Sequence, residues 1–115
     1  LEEEITALTE IKTEARFNID FLTIITGRKH KEAILKLLLD SGCRLIDVVY
    51  AKGSVQTGYF RDMLGLVPEE KKVMITCFIT SNLSGQLLDR LVEKFKFDEP
   101  NTGIAFTIPV EKVSV

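Results

Sequence analysis

The stretch Val73-Met74-Ile75-Thr76-Cys77-Phe78-Ile79 is rich in β-branched and aromatic side chains, and its odd and even positions are both apolar. So short and so apolar a run reads as a strand with something packed on each face. Downstream of it, Asn82 is placed to cap a helix in which Leu83, Leu87, Leu88, Leu91, Val92 and Phe95 form an apolar stripe. Pro100-Asn101-Thr102-Gly103 is strong turn chemistry. Ile104-Ala105-Phe106-Thr107-Ile108 then makes another strand, closed by Pro109. The second half of the chain is therefore strand, helix, strand.

The first half repeats that order. Phe17, Ile19 and Phe21 alternate with Asn18 and Asp20, and Leu22-Thr23-Ile24-Ile25-Thr26 continues as a strand that ends at Gly27. Ala33, Ile34, Leu37 and Leu38 fall at helical spacing, with Gly42 as the C-terminal stop. Arg44 to Lys52 is the next strand, and Gly53 breaks it. The connection that follows, roughly residues 54 to 71, is longer than the usual 2 to 6 residues and is a candidate functional loop.

Two strand-helix-strand halves predict an α+β, ferredoxin-like βαββαβ sandwich with a four-stranded antiparallel sheet. Right-handed crossovers put both helices on one face of that sheet. Leu22, Ile24, Val49, Met74 and Phe78 cannot all fit beneath two helices, so the other face needs a cover, most simply further copies of the chain. Leu1, Ile5, Leu8, Ile11 and Ala15 add an amphipathic N-terminal helix. The expected division is thus residues 1–16 for that helix and 17–115 for the ferredoxin-like domain.

Composition narrows the function. In 115 residues, 45% are hydrophobic and 28% charged, which suits one soluble domain with a modest core. A formal net charge of -2 provides no basic field for a nucleic acid. No apolar run approaches the roughly 20 residues of a membrane span. The opening Leu1-Glu2-Glu3-Glu4 has neither the basic start nor the apolar block of a secretory signal, so a cytoplasmic location is expected. The lack of an initial Met suggests a trimmed chain or part of a longer one. Cys43 and Cys77 read as free apolar thiols in a reducing compartment, with a disulfide as the rival. One histidine and two cysteines do not make a zinc site, and no catalytic pair is proposed by the spacing of Asp20, Asp47 and Asp62, which read as solvated carboxylates. His30 is either an anion contact at a helix start or a solvated cap residue.

Three stretches together resemble the PII-type nitrogen regulators and their PII-like relatives. Gly103-Ile104-Ala105-Phe106-Thr107-Ile108-Pro109-Val110-Glu111 is similar to the family's closing strand, and Val48-Val49-Tyr50-Ala51-Lys52-Gly53 to the strand entering its long T-loop. Lys31 to Asp40 with Ser41-Gly42 resembles its first helix. The resemblance implies a homotrimeric sensor, not an enzyme, that binds a small anionic ligand between subunits and regulates a partner protein in nitrogen metabolism. An adenine nucleotide (ATP or ADP) is the implied ligand, with another small anion as the variant. The implied ligand positions are Gly53, Gln56, Lys72, Asn101, Thr102 and Gly103. Tyr59, Phe60, Met63 and Leu64 form the implied partner-binding loop. The chain departs from the family where Thr102 replaces an Asp of the phosphate turn and Ile104 a Lys. The alternative reading is a ligand-free trimerisation or interaction domain of a longer regulator.

Overall fold

The computed structural model describes residues 2–14, 18–51, 71–100 and 102–111, with only the backbone given for 9–14 and 51. The chain runs α1 (Glu2–Glu14), β1 (Ile19–Gly27), a 3-10 turn (Arg28–His30), α2 (Lys31–Asp40), β2 (Arg44–Ala51), β3 (Lys72–Thr80), α3 (Ser81–Phe95) and β4 (Gly103–Val110). The strands form one sheet in the order β2-β3-β1-β4. Every neighbouring pair is antiparallel. This is the ferredoxin-like arrangement that the two repeated halves predict.

Register decides which residues meet the helices. Ile24 lies opposite Ile75 on one side and Ala105 on the other, and Leu22 lies opposite Cys77. These residues join Ile34 and Leu38 of α2 and Leu87, Leu91 and Phe95 of α3 in a single core. Each such aliphatic side chain stabilises the fold by about 1.5–3 kcal/mol on burial.

The other face carries Phe21, Ile25, Met74, Phe78, Phe106, Ile108 and Val49 by the same alternation. Phe21 and Phe78 meet edge to face at 5.2 Å. Val49, Phe106 and Ile108 are exposed. The face is therefore apolar, as expected, but Leu22 and Ile24 belong to the helix side. A continuous apolar run conceals its own phase, and only the strand pairing reveals it.

Helix ends show why the elements stop. After α2, Gly42 takes φ +82. Its N–H donates to Leu39 O at 3.2 Å, and Cys43 N–H donates to Leu38 O at 3.1 Å, closing the last turn as the glycine predicts. At the start of α3 the cap position belongs to Thr80, not Asn82, and no side-chain cap bond is made there. Instead Asp20, reaching across from β1, accepts from Ser81 Oγ at 2.8 Å and Ser84 Oγ at 2.6 Å. Asp20 is buried, so its reading as a solvated carboxylate is corrected. Leu83 and Val92 are exposed rather than part of the buried stripe.

The last strand runs past the expected stop. Pro109 lies within β4, opposite Asp20. β4 is an edge strand, where a residue without an N–H can leave the ladder intact.

Candidate functional site

The C-terminal end of β1 gathers the described residues singled out above. Thr26 pairs with Gly103 on β4, and Gly27 pairs with Lys72 on β3. Lys72 and the Thr102-Gly103 turn thus flank one strand end, although they are separated widely in sequence. Gly53, Gln56, Tyr59, Phe60, Met63, Leu64 and Asn101 lie outside the described residues.

The turn is held tightly. Thr26 is fully buried, and its Oγ1 donates to Thr102 O at 2.8 Å. The Thr102 hydroxyl donates to the Lys96 and Glu99 carbonyls at 2.7 and 2.8 Å. With its hydroxyl proton committed to the backbone, what Thr102 can offer an anion is its main-chain N–H. Gly103, at φ +155, has no room for a side chain: a Cβ would come within 2.8 Å of Ile25 O and of Phe97 Cε1.

Lys72 is 5% exposed, an unusual setting for a lysine. Its neighbour Val73 points into the core under the helices, so Lys72 leaves the sheet through the opposite face. Arg28, Lys29, Lys31 and Lys71 adjoin this end, with Lys31 paired to Glu32 at 3.2 Å and Glu99 beside the Thr102 turn.

Two residues that sequence reading passed over organise the same end. Arg28 N–H donates to Lys71 O at 3.0 Å, and its Nε donates to Lys72 O at 3.3 Å. Its guanidinium also sits 4.6 Å from the centre of the Tyr50 ring. Lys31 Nζ donates to Tyr50 Oη at 2.7 Å. That bond, followed by the one to Glu32, raises the Lys31 pKa from its ordinary 10.5. Arg28 and Tyr50 therefore brace the point where β2 ends and β3 begins. In the sequence this brace shows only as Arg28, Lys29 and Lys31 around His30 and as Tyr50 within the β2 stretch. His30 itself packs its ring against Phe95 at 5.3 Å.

A shallow hollow of about 380 Å³ lined by Lys96, Asp98 and Glu99 adjoins the Thr102 turn, and other clefts lie away from it. One of about 210 Å³ sits between α2 and α3, lined by Asp40, Ser41, Leu83, Gln86, Leu87 and Arg90. No His, Cys, Asp and Glu grouping among the described residues could hold a metal ion.

Two helices on one face of a four-stranded antiparallel sheet in the order β2-β3-β1-β4 define the α+β ferredoxin-like class. The family model for nitrogen regulatory protein P-II matches residues 19–115, and the chain belongs to that family. No curated protein matches. Among solved structures, the apo form of CPII, a nitrogen regulatory PII-like protein of Thiomonas intermedia, is similar with a TM-score of 0.63. Identity is 21%, over 82% of this chain and 90% of that one. CPII bound to ADP, AMP and acetate gives a TM-score of 0.60 at 22% identity, covering 84% and 91% of the two chains. A PII-like signalling protein of Thermus thermophilus gives 0.59 at 15% identity, covering 81% and 86%.

Proposed function

We propose that the chain is a cytoplasmic PII-like sensor, not an enzyme, that binds an adenine nucleotide or another small anion between the subunits of a homotrimer. The observation that carries the reading is the convergence of Lys72 and the Thr102-Gly103 turn on the end of β1. Main-chain N–H groups of a tight glycine turn, with a lysine on the neighbouring strand, suit a phosphate or carboxylate. CPII, a structural neighbour, has been seen with ADP, AMP and acetate and with ADP and bicarbonate, which supports that ligand class.

The open sheet face supports the trimer. Val49, Phe106 and Ile108 are exposed there, and burying such a patch against other copies removes it from water. In this reading Gly53, Gln56, Asn101, Thr102 and Gly103 complete the ligand site with Lys72. The segment bearing Tyr59, Phe60, Met63 and Leu64 is offered to a regulated partner in nitrogen metabolism. Residues 1–16 are an appended helix on the domain formed by 17–115.

Isothermal titration of the protein with ADP, AMP, ATP and bicarbonate tests the reading. The expected result is saturable nucleotide binding, weakened about tenfold or more by Lys72→Ala, a loss of roughly 1.4 kcal/mol. Silence across the panel from a trimeric sample would leave the ligand-free interaction domain as the better account.

A further inference from the structure

Cys43 and Cys77 take no part in the proposed ligand site, yet they lie side by side. Arg44 is opposite Phe78 in the β2–β3 ladder, which sets Cys43, the residue just before β2, diagonal to Cys77 on β3. Both side chains belong to the core beneath the helices, at 5% and 0% exposure, and both are free thiols.

We propose that Cys43 and Cys77 form an oxidisable dithiol that closes to an intramolecular disulfide when the protein meets a peroxide. Cys43 is the entry point. It follows the exposed Gly42 directly and is the less enclosed of the two. Its sulfur accepts a hydrogen bond from the Cys77 thiol, which holds Cys43 below the ordinary thiol range. Burial opposes that effect, and the Arg44 charge adds to it. Arg44 is kept beside it by a 2.8 Å bond from its guanidinium to Gly42 O. Cys77, as donor to Cys43 and buried, is pushed up.

The chemistry balances without a cofactor. The Cys43 thiolate attacks one oxygen of hydrogen peroxide, the O–O bond breaks, and hydroxide leaves as water after taking a proton. The resulting sulfenic acid is attacked by the Cys77 sulfur, whose proton leaves with the departing hydroxide as a second water. Two thiols lose two protons and two electrons, and the peroxide takes up both electrons as its oxygens become two waters.

A disulfide needs Cα atoms about 4.4–6.8 Å apart, and a regular diagonal pair, at about 7–8 Å, lies just beyond that range, so closure requires the start of β2 to shift. Here the ladder shifts register between Arg44 and Asp47, and Leu45 adopts φ 50, so the start of β2 is not fixed in a regular ladder. The bond would tie the α2–β2 junction to β3 and enclose residues 43–77, the segment that includes the candidate functional loop.

The test is made on the wild-type chain. Protein treated with hydrogen peroxide is unfolded, alkylated with iodoacetamide and weighed beside a reduced control. The expected result is a loss of two hydrogens, neither cysteine alkylated until a reductant is added, and an unfolding midpoint raised by roughly 5–15 °C. Two fully alkylated cysteines, or independent oxygen additions on each without loss of two hydrogens, would overturn the proposal.

Discussion

The hydroxyl of Thr26 donates to the carbonyl of Thr102 at 2.8 Å, fastening the end of β1 to the turn that opens β4. The bond is formed by a side chain with no exposed surface. Thr26→Val keeps the shape but leaves a carbonyl without its donor, at a cost of about 1–3 kcal/mol. Urea unfolding should show the stability falling by that amount, and Thr26→Ser should recover much of it.

Gly103 is the tightest position at the same end. Adding a methyl group places it 2.8 Å from a backbone oxygen, 2.8 Å from the Phe97 ring and 2.9 Å from Thr26 Cβ, on a backbone at φ +155. Gly103→Ala should destabilise the protein by about 1–3 kcal/mol. Thermal unfolding measures it, and an unchanged midpoint would show that the turn relaxes freely.

Asp20 and Ser84 should be energetically coupled. The carboxylate accepts from Ser84 Oγ at 2.6 Å and from Ser81 Oγ at 2.8 Å, both at the start of α3. A double-mutant cycle with Asp20→Ala and Ser84→Ala, read by chemical denaturation, should give a coupling of about 1 kcal/mol or more. Additive effects would show that the contact contributes little.

Lys31 predicts an alkaline effect of known sign. Its folded pKa is raised above 10.5 by the bond to Tyr50. The linked stabilisation is therefore fully present below pH 10.5 and is lost as pH rises through the folded value. Tyr50→Phe should return the lysine toward its ordinary value in an NMR titration, and the stability gap from wild type should narrow at high pH. Because Lys31 is on the surface, the gap is small.

Periodicity sufficed for the order of the elements. α2 forms where Ala33, Ile34, Leu37 and Leu38 fall at helical spacing, and Gly42 ends it as anticipated. What periodicity could not supply was relation across distance. Asp20 finds its serines in a helix far along the chain, and no local pattern marks such a partner. The strand status of Pro109 depends on β4 being an edge, a property of the sheet rather than of the segment. Arg28 and Tyr50 were legible only as a charge beside a helix start and as an apolar strand residue, because their stacking needs the assembled strand end.

Native mass spectrometry of the full chain with ADP reads assembly and occupancy together. Three chains carrying bound nucleotide, reverting to single chains when Ile108→Glu places a charge on the open face, is the predicted result. A wild-type protein that stays monomeric and empty at nucleotide concentrations well above the micromolar range would contradict the shared-site account.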